Sequence, residues 1–287
     1  MIQVEPTQQS CGAFVTGVNL TKPMNTATVA AIRAAWLDHH VLIFPDQPMS
    51  REDLVRFVET VGPIGDDPYI APMDGHDKIA AVQRRADERG KLFADAWHSD
   101  WSFQVRPPSG TCLLGITIPP RGGDTLFSNQ HLALERMGEA LRAKLEGKTA
   151  VHCAAGAYAD DGKYADGSYD GAMDIRTSDS AHARQGHPLI RAHPETGRLG
   201  LFAGSYVIGF EGVDAEEGRA LIGEVRQWQD RAEFVYRHEW QPDMLVMWDN
   251  RSVLHQATGG FEGYDRLLHR LTIADDAGYY LPPAATG

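Results

Sequence analysis

Residues 244–251 read Met-Leu-Val-Met-Trp-Asp-Asn-Arg, and His255 follows shortly after them. A continuous apolar run of this kind is typical of a buried strand, and the polar residues behind it predict a turn. The stretch therefore predicts a β-rich core in which one strand runs into a turn and is soon followed by a histidine.

The segments around this stretch add further strands and a few helices. Strands are predicted at Val41–Phe44, Trp97–Phe103, Thr111–Ile118 and Leu267–Ile273, with another where residues alternate from Phe234 to Trp240. Helices are predicted from Asn25 or Thr26, from the capping pair Ser50 and Asp53, over Leu132–Leu145, and from Asp214 with Glu217. Short strands with helices outside them favour a mainly β fold, a barrel or a double-sheet jelly roll.

The chain is expected to form a single domain over residues 1–287, because no linker rich in proline or serine divides it. Residues 155–185 are rich in Gly, Asp, Ala and Ser and show little periodicity. A stretch of that length without periodic structure is usually a lid, a binding loop or a disordered segment, and we expect a lid or insert here.

The composition limits the partners of the protein. Lys plus Arg number 27 against 39 Asp plus Glu, and the net charge of −12 disfavours nucleic acid and anionic membrane surfaces. The three cysteines, Cys11, Cys112 and Cys153, are odd in number and widely spaced, which argues against a disulfide framework. With no signal peptide or transmembrane pattern in the sequence, we expect a cytoplasmic protein with a small-molecule partner.

An imidazole and a carboxylate lie two residues apart, at His98 and Asp100. In a strand, period-two alternation places both on one face, where they can bind a single cation. His255, arriving from a distant strand, completes two histidines and one carboxylate, the facial arrangement of non-haem Fe(II) oxygenases. A rival pair, His193 and Glu195, is better explained as a turn.

Two arginines, Arg266 and Arg270, share one face of the last predicted strand. Inside a barrel each would need an anion, because an unpaired buried charge is costly, and a guanidinium is well suited to recognise a carboxylate through two parallel bonds. For Arg270 a second interpretation stays open, namely an exposed edge position paired with a local acid.

Five elements resemble, in order and spacing, the taurine dioxygenase family of Fe(II)/2-oxoglutarate-dependent enzymes, which includes chlorophenoxyalkanoate and alkylsulfate dioxygenases. These elements are His98-Ser99-Asp100, Gly122 to Leu126, Trp248 to Arg251, His255, and Arg266 to Arg270. The match runs from near residue 10 to about residue 275. It implies a double-stranded β-helix, a jelly roll of the cupin type with flanking helices.

The resemblance also implies the roles of the site residues. Fe(II) would be held by His98, Asp100 and His255, and 2-oxoglutarate would chelate the iron through its keto-acid end. The distal carboxylate of 2-oxoglutarate would pair with Arg266 and accept a hydrogen bond from Thr125. A guanidinium with a hydroxyl satisfies a buried carboxylate better than either group alone.

Three more residues are expected at the substrate. Arg270 occupies the position that faces an anionic substrate group in the family, and Tyr206 is expected as an aromatic wall. Asp67 would meet an ammonium or hydroxyl group, or would be a solvated loop carboxylate that caps a turn. By the alternation count, Trp101 and Phe103 face away from the metal ligands unless the strand is bulged.

The implied reaction is hydroxylation of a small, anionic organic substrate by O2, with succinate and CO2 as coproducts. The substrate would be a sulfonate, sulfate, aryloxy acid or other carboxylate. One alternative is a biosynthetic hydroxylase or desaturase acting on an amino-acid-like or natural-product substrate. Another is a non-catalytic cupin-like protein that binds a metal or ligand. The resemblance further suggests a homo-oligomer, a dimer or tetramer.

Overall fold

The computed structural model describes residues 2–165, 169 and 171–275, so the centre of the expected lid and both ends of the expected domain lie outside the described residues. The strands are β1 (Gln3–Pro6), β2 (Ala13–Thr16), β3 (Val41–Phe44), β4 (Ala80–Arg84), β5 (Gly110–Thr117), β6 (Thr125–Asn129), β7 (Thr149–Cys153), β8 (Arg184–Pro188), β9 (Ile190–Ala192), β10 (Leu199–Leu201), β11 (Val207–Phe210), β12 (Val235–His238), β13 (Leu245–Asp249), β14 (Val253–Ala257) and β15 (Arg266–Ile273). The helices are α1 (Thr26–His39), α2 (Arg51–Val61), α3 (Gln130–Glu135), α4 (Glu139–Leu145), α5 (Ala155–Tyr158) and α6 (Ala215–Gln229), with 3-10 turns at Asp179–His182 and Ala232–Phe234.

The strands form a large sheet with smaller sheets beside it, which is the jelly-roll architecture that the sequence predicts. The large sheet has the order β1-β2-β3-β13-β5-β15-β4, and three strands in the order β12-β6-β14 form a second sheet. A third sheet has the order β11-β7-β8, and β9 pairs with β10. Because β13, β5 and β15 are neighbours in the sheet but distant in sequence, residues from both halves of the chain meet at its centre.

Strand β3 of the large sheet is apolar along its whole length because both of its faces are covered. In β3, Leu42 and Phe44 pack toward α1 and α2, whereas Val41 and Ile43 pack toward the second sheet. All four side chains are fully buried. Burial stabilises the fold by about 1.5–3 kcal/mol for each large apolar side chain, so this strand anchors the site that lies between the sheets.

Several local predictions are confirmed. Asn25 caps α1 by accepting a hydrogen bond from Thr28 N at 2.8 Å, and Ser50 with Asp53 forms a complete capping box at the start of α2. Asp214 caps α6 by accepting from two backbone N–H groups of its first turn. The three cysteines are free and buried.

Two predicted elements differ in the structure. The single helix expected over Leu132–Leu145 is two helices, α3 and α4, and Gly138 stands at the N-cap of the second. Glycine favours this helix boundary because it loses more backbone entropy than other residues inside a helix. Trp97–Phe103 is a turn and not a strand, and only His98 in it makes a β-bridge.

The described part of the expected lid, residues 155–185, packs onto the loop that follows α2. Tyr158 stacks on Tyr69 with ring centroids 4.7 Å apart, and the backbone N–H of Arg176 donates to Tyr69 O at 2.9 Å. The N–H of Ala71 donates in turn to Asp174 O. Among the described residues, no helix is long and apolar enough to cross a membrane.

Candidate functional site

His98, Asp100 and His255 converge between the two main sheets. One ligand atom of each lies within 4.8 Å of the others, and all three residues are buried. Asp100 Oδ1 is 3.7 Å from the Nε2 atom of each histidine. Two imidazoles and one carboxylate arranged around a common centre form a donor set that suits a divalent transition metal and leaves other coordination positions open.

A bridge and a turn bring these residues together, and strand alternation does not. The N–H of His98 donates to His255 O at 3.0 Å, and the N–H of His255 donates to His98 O at 2.8 Å. The chain then turns at Trp101, which has a φ of 48°. A non-glycine residue in this region is uncommon, and such residues concentrate at functional sites.

The polar turn after β13 holds Asp100 in place. Asn250 Oδ1 accepts from the N–H of Asp100 at 3.4 Å, and Asn250 Nδ2 donates to Thr111 Oγ1 at 3.0 Å. Thr111 Oγ1 donates in turn to Asp100 Oδ2 at 2.6 Å. Ser99 Oγ adds a bond to Asn250 O at 2.8 Å. This chain of bonds uses Oδ2 of the carboxylate and directs Oδ1 toward the histidines.

The charges of the three residues suit metal binding. Burial lowers the pKa of His98, and it lowers the pKa of His255 well below the ordinary value, so both imidazoles are neutral near pH 7. Burial opposes ionisation of Asp100, but nearby positive charge, above all that of Arg270, outweighs it and holds its pKa below the usual range. His98 Nδ1 lies 2.8 Å from Ala96 O, so it donates there and leaves the Nε2 lone pair facing the centre.

Arg266 and Thr125 line the same cavity as His98 and His255. Arg266 is buried and donates from Nη2 to Gly123 O at 2.9 Å, while its Nε has no hydrogen-bond partner. Among the described residues no carboxylate pairs with Arg266. Burial lowers its pKa to about 10, so it remains a cation at neutral pH and needs an anion that none of the described residues supplies.

Thr125 is prepared to donate to that anion. Its Oγ1 accepts the indole N–H of Trp240 at 3.0 Å, which leaves the hydroxyl hydrogen available. Gly123 makes room for the arginine, since a Cβ at this position would lie 2.9 Å from Arg266 Nε, and its φ of 71° also favours glycine. The cavity thus has a guanidinium and a hydroxyl donor, which fits the distal carboxylate of 2-oxoglutarate.

Arg270 lies on the same strand but has acidic partners. Its Nη2 is 3.2 Å from Asp67 Oδ1, and its Nη1 is 3.1 Å from Asp100 Oδ1. The indole N–H of Trp101 also donates to Asp67 Oδ1, at 2.6 Å. Of the two interpretations of Arg270, the exposed edge position is wrong, because the side chain is buried, although a local acid does pair with it.

A second cavity beside the metal ligands has several aromatic side chains in its walls. It is lined by Asp100 and His98 together with Trp101, Tyr158, Tyr164 and Tyr206. The Tyr206 ring stands edge-on to His98 with centroids 6.3 Å apart, and Tyr206 lies in the turn between β10 and β11. Trp101 lines this cavity because the turn overrides the alternation that would have pointed it away.

The rival pair lies elsewhere in the fold. His193 Nε2 donates to Asp249 Oδ2 at 3.0 Å, and Glu195 pairs with Arg33 and Arg251. These residues hold a turn against the end of β13, as the sequence predicts. Sequence reasoning missed Trp240 and Asn250 as supports of the site. Trp240 belongs to the alternating set that begins at Phe234, and that alternation is the signal that could have indicated it.

Comparisons with known proteins identify the family. A family model described as taurine catabolism dioxygenase TauD, TfdA family, matches residues 3–272. The alpha-ketoglutarate-dependent 2,4-dichlorophenoxyacetate dioxygenase of Cupriavidus pinatubonensis is 32% identical over 96% of this chain and 99% of its own. The (S)-phenoxypropionate/alpha-ketoglutarate-dioxygenase of Sphingobium herbicidovorans is 28% identical over 95% of both chains. The crystal structure of a taurine dioxygenase from Burkholderia xenovorans is 31% identical, covers 96% of this chain and 90% of its own, and has a TM-score of 0.79.

Proposed function

The chain belongs to the TauD/TfdA family, and on that premise we propose that His98, Asp100 and His255 hold the Fe(II) with which it hydroxylates a small organic substrate. It is an Fe(II)- and 2-oxoglutarate-dependent dioxygenase, as its family and named relatives are. One observation carries the proposal: the two imidazoles of a facial set completed by Asp100 share a cavity with a buried guanidinium that lacks a carboxylate partner among the described residues.

Bound at this centre, Fe(II) supplies the activation of O2 that is coupled to oxidative decarboxylation of 2-oxoglutarate to succinate and CO2. The residues of the chain orient the cosubstrate and the metal ligands, and they exclude water from the centre. Arg266 and Thr125 bind the distal carboxylate of the cosubstrate, and Trp240 orients the Thr125 hydroxyl. Neutral His98 and His255 present lone pairs to the metal, and the hydrogen-bond chain through Asn250 fixes the direction of Asp100.

We assign Arg270, Tyr206 and Asp67 to the substrate. The substrate class is a small organic acid, namely a sulfonate, sulfate, aryloxy acid or other carboxylate, in keeping with relatives named for phenoxypropionate and 2,4-dichlorophenoxyacetate. The aromatic walls around Tyr206 suit a ring or another apolar body. Product analysis separates this from the biosynthetic alternative, since release of an anionic group or phenol differs from a retained hydroxyl or a new double bond.

The non-catalytic alternative is set aside, because the family is one of dioxygenases. The remaining expectations stay part of the proposal. The chain is one domain over residues 1–287, with a substrate-responsive lid at 155–185, and it is a cytoplasmic homo-oligomer. The contact of the described lid residues with the loop around Tyr69 supports the lid assignment.

The test is an anaerobic titration of the apo-protein with Fe(II) and then with 2-oxoglutarate, followed through the weak visible charge-transfer band of a chelated keto acid. We expect the band in wild type, and Arg266→Ala should need about 30-fold more 2-oxoglutarate or more, because it removes a buried charge partner. Arg121→Ala, an exposed arginine nearby, is the matched control. Absence of the band in folded, iron-loaded protein contradicts the proposal.

A further inference from the structure

Arg266 and Arg270 share a strand face, but only Arg270 has carboxylates of its own. Asp67 approaches the edge of the guanidinium formed by Nε and Nη2, with Oδ1 at 3.3 Å from Nε and 3.2 Å from Nη2. Oδ2 lies 3.4 Å from Nε. Oδ1 thus accepts from both nitrogens of the edge that an arginine commonly presents to a carboxylate, here occupied by a residue of the chain itself.

Asp67 is an ordered part of the site and not a solvated loop acid. Its side chain is only 9% exposed, and Oδ1 also accepts the Trp101 indole N–H at 2.6 Å. Its loop is held further along by Tyr69, whose ring stacks on Tyr158. The neighbouring Asp66 is exposed, so the two adjacent acids differ in their surroundings.

The positive charge of Arg270 is neutralised before any substrate arrives. Arg270 carries one positive charge, and Asp67 and Asp100 carry one negative charge each. With Asp100 serving as a metal ligand, Asp67 remains as the counter-ion of the arginine. A sulfonate or carboxylate that reaches Arg270 therefore meets a guanidinium that is already neutralised and already bonded on one edge.

We propose that Asp67 is a specificity-determining residue that competes with the anionic group of the substrate for Arg270. The inference rests on the proposed function, because it takes Arg270 as the group that meets the substrate anion. The competition weakens binding of every anion at this position and leaves uncharged groups of the same shape unaffected. Anionic substrates must then gain their affinity from the aromatic cavity as well, which favours acids that carry a ring.

The experiment compares Asp67→Asn with wild type in anaerobic protein loaded with Fe(II) and 2-oxoglutarate, so that the metal and Arg266 are occupied. Calorimetry measures binding of benzenesulfonate and of methyl phenyl sulfone, an uncharged molecule of similar size. Asparagine keeps an acceptor for Trp101 but removes the charge. We expect the dissociation constant for benzenesulfonate to fall about tenfold in Asp67→Asn and that for the sulfone to stay unchanged.

Two further variants complete the test. Asp66→Asn removes the exposed charge of the adjacent residue, and it should leave benzenesulfonate binding as in wild type. Asp67→Asn combined with Arg270→Gln should lose the gain. Equal benzenesulfonate affinities in wild type and Asp67→Asn overturn the proposal, as does a gain that persists without Arg270 or extends to the sulfone. A charge-transfer band in the same wild-type sample shows that such a failure concerns Asp67 and not the dioxygenase site.

Discussion

Asp100 and Asp249 are both buried aspartates with a histidine and an arginine beside them, yet the two carboxylates differ in the hydrogen bonds that they accept. Asp249 accepts from Arg251 Nε at 2.8 Å, from Arg251 Nη2 at 2.7 Å and from His193 Nε2 at 3.0 Å. Asp100 Oδ1 accepts from Arg270 at 3.1 Å, but it faces two imidazole nitrogens at 3.7 Å, too far for a hydrogen bond.

The difference shows that hydrogen-bond saturation separates a structural carboxylate from a ligand. Each oxygen of Asp249 accepts two hydrogen bonds, so no lone pair remains to coordinate a cation, whereas each oxygen of Asp100 accepts one from the side chains of the described residues. At Asp100 the two imidazole nitrogens present lone pairs, and a cation would satisfy the two histidines and the carboxylate together. Residue types alone do not distinguish the two clusters, because each holds an aspartate, an arginine and at least one histidine.

The largest expected effect is the loss of iron when a histidine of the Asp100 cluster is replaced. His255→Ala leaves two protein ligands, so we expect it to abolish iron binding and substrate-dependent succinate formation together. Iron per chain after gel filtration and succinate yield are the measurements. His193→Gln, in the Asp249 cluster, should retain the iron content of wild type. Succinate formation retained by His255→Ala would remove that residue from the ligand set.

Substitutions in the Asp249 cluster should instead lower the free energy of unfolding of the protein. Asp249→Asn removes the fully buried charge partner of Arg251 and leaves the partly exposed Glu195, so we expect a loss of about 3 kcal/mol in the free energy of unfolding, measured with urea. Glu195→Gln tests the partly exposed partner of the same arginine and should cost about 1 kcal/mol. Equal effects of the two substitutions would contradict the saturation argument.

Residue types and spacing in the sequence predict the central strands and the convergence of the metal-ligand residues. The apolar runs at β3 and β13 predict central strands because their two faces are both buried, and His98, Asp100 and His255 converge as expected. The reason given for the convergence is wrong, since a turn at Trp101 replaces the strand. The Asp67–Arg270 pair was not predicted, because the two residues meet only through the tertiary path of a loop, which no local periodicity encodes.

Acid should weaken the saturated cluster through a buried histidine beside it. Burial lowers the pKa of His131 to about 4, and its ring lies 6.0 Å from that of His193. The unfolded chain takes up a proton near pH 6.5 and the folded chain does not, so this stability is complete above pH 6.5 and declines until about pH 4. We expect the loss to reach about 2 kcal/mol at pH 5.

Urea unfolding at pH 7 and pH 5 measures this contribution. His131→Gln removes the titrating group, so its free energy of unfolding should fall less between the two pH values than that of wild type. His182→Gln, at an exposed histidine, should keep the wild-type difference. An unchanged difference in His131→Gln would show that other groups cause the acid sensitivity.

The smallest expected effect concerns Thr125, because the indole N–H of Trp240 decides the direction of the Thr125 hydroxyl hydrogen. Because the Trp240 indole N–H bonds to Thr125 Oγ1, the hydroxyl hydrogen is left for the cosubstrate carboxylate. Trp240→Phe frees that oxygen to accept or donate elsewhere, so KM for 2-oxoglutarate should rise about three- to tenfold with kcat unchanged. Trp228→Phe removes an indole bond to Ala133 O instead and should leave this KM as it is. A fall in kcat for Trp240→Phe would mean that the indole supports the metal centre and not the carboxylate.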